Sequence, residues 1–238
     1  RSCGALTRAP LAPKDSIKSP QWQNTSSPMK KNKTRDRILD ASLMLFNSIG
    51  EPNVTTLLIS DELEISPGNL YYHFKSKGDI VTELYERFES EMAELLAVPD
   101  DAVISLDQYG FFAHVLFETV ARYRFLYQDL VNVLSRYPQL QPGFQRLLSR
   151  KRRAFQRVCL SFQAQGTMAI AEEELDSLCE QLTLTSCYWV SFDSLSHLDE
   201  RESVDPGRGV YQMLRLIQPY LSPEEHEQLR LISQDYRC

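Results

Sequence analysis

The chain has 238 residues, a formal net charge of −6, 42% hydrophobic and 24% charged residues, long enough to bury a substantial core in one or two domains. Its longest run without a charged residue is Val158 to Ala171, too short and too mixed to cross a bilayer, and no apolar segment behind basic residues predicts a secretory signal. Cys3, Cys159, Cys179, Cys187 and Cys238 are an odd set without a CxxC pair, which points to free thiols in a reducing compartment rather than a disulfide framework or a zinc finger.

The total charge conceals an asymmetry. Residues 1–28 carry +3, residues 29–78 carry +1, and residues 79–238 carry −10. Beyond Lys77 the only lysine is Lys151. An acidic protein does not coat nucleic acid over its whole surface, but its N-terminal third can carry a local footprint.

Residues 1–28 are half Ser, Thr, Pro, Asn and Gln without apolar periodicity, and are expected to be a disordered leader ahead of a start at Met29. From Thr34 the pattern turns helical. Ile38, Leu39, Leu43, Leu45, Phe46 and Ile49 form a broad apolar face that ends at Gly50, a left-handed stop. A second helix is expected over Thr55–Leu63 with Thr55 as N-cap. A third opens with Ser66 as N-cap and Pro67 in the first turn and runs to Phe74. Ser76-Lys77-Gly78-Asp79 is a capping box for a fourth helix whose stripe is Ile80, Leu84, Phe88, Met92 and Leu95.

Further helices are expected at 105–122, 124–136, 142–165, 172–197, 208–219 and 223–236. The last of them begins at a second capping box, Ser222-Pro223-Glu224-Glu225. No alternating strand pattern competes, so the fold class is all-α, with about nine or ten helices.

Thr55–Phe74 is a short helix, a tight Glu64-Ile65-Ser66 turn and a second short helix. This helix-turn-helix spacing lets the second helix enter a DNA major groove by its N-terminal end. Ser66, Pro67, Gly68 and Asn69 form a small-residue leading turn, and Asn69 can pair with adenine N6 and N7. Tyr71, Tyr72 and His73 offer polar groups to phosphates or thymine methyls, with Tyr71 and His73 divided between DNA and packing. Lys75 and Lys77 suit phosphates, and the basic run with Lys31, Lys33 and Arg35 can follow the flanking backbone. Ile59, Leu63, Leu70 and Phe74 are expected in the core.

On these residues the chain resembles the TetR (tetracycline-repressor) family of bacterial one-component regulators. The resemblance is strongest through Arg37-Ile38-Leu39-Asp40-Ala41 and Ile65-Ser66-Pro67-Gly68-Asn69-Leu70-Tyr71-Tyr72-His73-Phe74-Lys75-Ser76-Lys77. It implies a three-helix DNA-binding domain over 29–78, Thr55 among the DNA contacts, and an effector-binding and dimerisation domain over 79–238. Two positions depart from the family pattern. Glu64 stands where Gly is common, at about 1 kcal/mol if the turn is left-handed, and Leu57 stands where a polar or basic residue is usual.

In the second domain Phe112, His114, Phe117, Tyr123, Tyr127 and Phe155 are candidates to line an effector pocket, against the plainer reading that they are core. Leu178, Leu182, Trp189 and Phe192, with Met213 and Ile217, make a helix-packing seam assigned to a homodimer interface, the alternative being burial within one subunit. The run Arg146, Arg150, Lys151, Arg152, Arg153, Arg157 reads as a solvated helix face, or as an anchor for an anionic effector. Cys179 and Cys187 are expected to be buried structural thiols.

No GxSxG, HExxH, GxGxxG or P-loop spacing is present, so no catalytic residue, metal or cofactor is expected. The function expected is a cytoplasmic bacterial DNA-binding regulator, a repressor that binds a near-palindromic operator as a dimer and is released by a small hydrophobic effector. The alternative is an effector-free DNA-bound structural or division-control protein on the same fold.

Overall fold

The computed structural model describes residues 33–197 and 205–236, and those residues are all-helical apart from short turns and one isolated bridge between Met168 and Leu221. The expected leader over 1–28 and the candidate contact Lys31 lie outside the described residues.

The helices are α1 (Lys33–Ile49), α2 (Thr56–Glu62), α3 (Pro67–His73), α4 (Lys77–Leu95), α5 (Leu106–Arg122), α6 (Arg124–Gln128), α7 (Leu130–Arg136), α8 (Gln141–Ala164), α9 (Glu172–Ser196), α10 (Pro206–Ile217) and α11 (Glu225–Gln234). Gly50 ends α1 at φ +83°, which only glycine adopts without strain. Side-chain caps start the next helices. Thr55 accepts from Leu58 N at 3.1 Å, Ser66 from Asn69 N at 3.2 Å, and Ser76 and Asp79 complete their capping box.

Three expectations shift. The helix expected over 124–136 breaks at Asp129, whose φ of −135° and ψ of 40° leave helical geometry while its carboxylate accepts from Asn132 Nδ2 at 2.6 Å. The capping box at Ser222 does not form. α11 starts at Glu225 without a side-chain cap, and Glu225 N instead donates to the Ser222 carbonyl at 3.0 Å. Ile49, counted in the apolar face of α1, is exposed.

The small N-terminal core is Ile38, Leu39, Phe46, Val54, Ile59, Leu70 and Phe74, all buried, and Leu63 is only half-buried. It continues without a break into α4 through Ile80, Val81 and Leu84 and on into the larger bundle, where α9 packs on α8, α10 and α6 and α5 packs on α10. Close packing is visible at Gly209 of α10, where a Cβ would stand 2.6 Å from the Phe117 ring of α5.

Polar contacts reinforce the junction. Asn47 of α1 donates to the Arg122 carbonyl at 2.7 Å and accepts from Phe125 N at 3.0 Å, while Phe46 and Phe125 pack with ring centroids 5.2 Å apart. Glu51, in the 3-10 turn after α1, is buried and reaches the end of α7.

Candidate nucleic-acid interface

α2 and α3 meet at Glu64, which adopts φ +53°. The left-handed turn that the family pattern fills with glycine is thus made by a glutamate, at about 1 kcal/mol. Ile65 N donates to the Ser60 carbonyl at 3.0 Å and closes the turn. Leu70 and Phe74 anchor the inner side of α3 in the core, leaving Ser66, Pro67, Gly68, Asn69, Tyr71 and Tyr72 exposed on its outer side.

Within that exposed set Tyr72 is 77% exposed. The Asn69 side-chain amide makes no hydrogen bond to another described residue. Tyr71 divides its roles: half-exposed, its hydroxyl lies 3.0 Å from Thr56 Oγ1 and ties α3 to the first turn of α2. His73 is partly buried and packs edge-on to Tyr72. Thr55 is exposed but spends its hydroxyl oxygen on the cap of α2. Leu57 projects into solvent from α2. The outer face of α3 therefore presents a small-residue N-terminal turn, a free amide and phenol groups, a set able to read base edges and phosphates.

The basic residues separate into two groups. Lys33 and Lys75 are exposed, with Lys75 Nζ donating to the Tyr71 carbonyl at 3.1 Å. Arg35 is turned inward: it donates to the His73 carbonyl at 2.7 Å, pairs with Glu83 of α4, and lies 4.2 Å from the Phe74 ring centroid. It holds the C-terminal end of α3 against α1 and α4 and is not extended toward a phosphate. Lys77 is likewise turned in, donating to the carbonyls of Glu51 and Val54 at 3.0 Å each and pairing with Glu51 Oε1 at 2.7 Å. Neither residue joins the exposed set in this structure.

Glu51 is a buried junction residue whose role the sequence does not announce. Its carboxylate accepts from Tyr137 Oη at 2.6 Å and from Arg136 Nη2 at 2.8 Å as well as pairing with Lys77. Burial alone pushes the Glu51 carboxyl up, but the hydrogen bonds from Lys77 and Tyr137 and the charges of Lys77 and Arg136 outweigh it and hold the group below its ordinary value. A carboxylate beside a Pro-Asn turn carries no sequence sign of this role, because its partners at 136 and 137 are set by tertiary packing.

The pocket candidates are not gathered around one chamber. Phe112 and Phe155 pair edge-on at 6.0 Å, and Phe117 is packed against Gly209. Tyr123 donates to Glu91 at 2.8 Å, and Phe88 of α4 lies between the Tyr123 and Tyr127 rings at 5.4 and 5.7 Å. His114 is partly exposed, 3.2 Å from Glu118.

The dimer seam needs correction. Leu178, Leu182, Met213 and Ile217 are buried in the chain's own core, where α9 packs on α8 and α10, and cannot face a second subunit. Phe192 is 58% exposed, and Trp189 packs half-buried beside it at 5.3 Å. The open apolar stripe of α9 is Leu184, Tyr188, Phe192 and Leu195, spaced four, four and three residues apart. Lys151 also departs from the solvated face assigned to it, being fully buried. Cys159, Cys179 and Cys187 are free and buried.

With this geometry in hand, comparison with known proteins is decisive. Residues 38–84 match the family model described as bacterial regulatory proteins, tetR family, and residues 87–229 match the TetR model described as bacterial transcriptional repressor. The chain belongs to the TetR family.

Among solved structures it is similar to a TetR-family transcriptional regulator from Marinobacter aquaeolei VT8, at 34% identity and a TM-score of 0.77, covering 86% of this chain and 99% of that one. Among curated proteins it is similar to the HTH-type transcriptional regulator AcrR of Shigella flexneri, 37% identical over 62 residues. It is also similar to the biofilm operon icaADBC HTH-type negative transcriptional regulator IcaR of Staphylococcus epidermidis, 30% identical over 97 residues. These two matches cover 26% and 40% of this chain and span only 29% and 52% of the relatives' own lengths. No helix among the described residues is long and apolar enough to cross a membrane. The two family models thus fall on the N-terminal helices and on the larger helical body respectively.

Proposed function

We propose that this TetR-family regulator is a homodimeric repressor, working in the bacterial cytoplasm, whose effector is a small, largely apolar molecule. Residues 29–78 act as the reader and residues 79–238 as the effector-binding and dimerisation body. Each subunit sets Ser66–His73 into one of two successive major grooves of a near-palindromic operator, with Lys33 and Lys75 on phosphates. The effector enters the body and shifts α4, which changes the separation of the two α3 helices. DNA and effector then weaken each other's binding reciprocally.

One observation carries this reading: the N-terminal turn of α3 is exposed, with an unengaged Asn69 amide, while the opposite side of the same helix is locked in the core. The open stripe on α9 supports the dimer, since a row of exposed Leu, Tyr and Phe at helical spacing is a surface that water disfavours. The match to repressor proteins favours this reading over the effector-free structural alternative.

The test is a mobility-shift assay on DNA from upstream of the protein's own gene. Specific, salt-sensitive binding that Asn69→Ala weakens supports the reading. Binding that Asn69→Ala leaves unchanged sinks it.

A further inference from the structure

Lys151 lies on α8 with its side chain fully buried. Its Nζ donates to the Ser186 carbonyl at 3.1 Å and to Tyr127 Oη at 3.3 Å, and stands 3.6 Å from Cys187 Sγ and 5.1 Å from the centroid of the Tyr127 ring. None of these partners is a carboxylate, and no carboxylate among the described residues pairs with the amine. An ammonium without a counter-charge is expensive to bury, and burial pushes this amine's pKa down. A methionine would fill the same space without that penalty.

A second observation points to the same place from α4. Tyr85 is buried, and its hydroxyl has no hydrogen-bond partner. Its ring packs on Phe88 at 6.0 Å, and Phe88 packs edge-on to Tyr127 at 5.7 Å. Tyr127 in turn meets Phe144 at 6.3 Å. An unsatisfied hydroxyl from α4 and a buried amine from α8 that lacks a carboxylate partner thus lie at the two ends of one aromatic run. Buried hydroxyls are normally satisfied and buried ammonium groups are normally paired with a carboxylate, so an orphan hydroxyl and an uncompensated charge along a single aromatic run mark a place where an anionic ligand gains by arriving.

We propose that Lys151, Tyr127 and Tyr85 anchor the carboxylate of an apolar acid whose chain or ring lies against Phe88 and Phe144. The proposal rests on the effector-released repressor reading and specifies that effector's chemistry. Lys151 supplies the charge, the two phenols donate to the carboxylate oxygens, and the aromatic rings take the apolar body.

The same geometry couples the site to the reader. Tyr85 is pressed against Gly143 of α8 so tightly that a Cβ there would stand 2.8 Å from the Tyr85 hydroxyl. The two helices pack this closely at Gly143, so a guest that reaches the Tyr85 hydroxyl has to part α4 from α8 there. A ligand accommodated only after that displacement draws the population toward it. Because α4 begins at Lys77, tied to Glu51 of the reader, the displacement reaches the recognition helix.

The test uses the full chain with decanoate and phenylacetate as probes and decanamide and phenylacetamide as uncharged matches, read by thermal melting and by release of operator DNA. The acids should raise Tm and release DNA while the amides do neither. Lys151→Met should bind DNA as before, melt at the same temperature or higher without ligand, and respond to the acids at least about tenfold more weakly. Tyr85→Phe should likewise keep its Tm and lose part of the response.

A lower Tm for ligand-free Lys151→Met would assign the lysine to the fold and overturn the proposal. So would equal effects of acids and amides, or no effect of either acid on melting. If ligand-free wild type fails to bind operator at all, the repressor reading fails instead, and the melting data still judge the site.

Discussion

Glu51 and Arg136 are 85 residues apart in sequence, yet Arg136 Nη2 donates to Glu51 Oε2 at 2.8 Å across the junction between the reader and the body. Lys77, the first residue of α4, pairs with the other carboxylate oxygen, and Tyr137 donates to that oxygen as well. One buried carboxylate therefore joins the turn after α1, the start of α4 and the end of α7. A displacement at the start of α4 strains or breaks this contact.

Glu51→Gln removes the charge and leaves Lys77 and Arg136 facing a neutral amide. The expected loss is roughly 3 kcal/mol of stability at neutral pH, the range for breaking a buried pair. The sign with pH follows from the depressed carboxyl pKa. The stabilisation is fully present above the unfolded value of about 4.3 and is lost as pH falls through the lower folded value. Denaturant titrations of both proteins should therefore converge as the solution is acidified.

Glu64 makes a sharper local test. At φ +53° a β-branched residue is strongly disfavoured, whereas glycine is at ease. Glu64→Val should cost more than about 1 kcal/mol, and Glu64→Gly should be neutral or stabilising by up to about 1 kcal/mol. Thermal melting of the pair checks both. A valine variant as stable as the glycine variant would mean that the turn is not left-handed.

Most of the architecture was legible because its signals are local. Thr55, Ser66 and the Ser76–Asp79 box announce helix starts by side-chain chemistry, and Gly50 announces a stop. What escaped was direction. Arg35, Lys77 and Lys151 look alike in sequence to Lys33 and Lys75, but whether a long cation turns outward or inward is decided by partners far along the chain, such as Glu83, Glu51 and Ser186. α9 escaped in the same way. It carries apolar residues on two sides, and periodicity alone could not say that Leu178 and Leu182 turn inward while Leu184 and Tyr188 remain open.

The two groups of cations predict different phenotypes. Lys75→Ala should weaken DNA binding about evenly across sequences and reduce the slope of affinity against salt by about one contact. Lys77→Ala should instead lower stability, because it strips Glu51 and two backbone carbonyls of a donor, with little change in the salt slope of the folded protein. Salt-dependent anisotropy combined with melting separates the two outcomes.

For the dimer, Leu184→Glu combined with Phe192→Glu should yield a folded monomer by analytical ultracentrifugation, with operator affinity reduced by the loss of the second half-site. Leu182→Glu, which puts a charge in the core, should fail to fold stably. A double variant that stays dimeric would place the interface elsewhere.

In the proposed function α3 reads DNA as one of a symmetric pair. Hydroxyl-radical footprinting of the full chain on its own upstream DNA tests it most directly. Two protected half-sites about 34–36 Å apart, one helical turn, are expected, with Asn69→Ala losing protection at both at once. A single protected site, or a footprint that Asn69→Ala leaves intact, would contradict it.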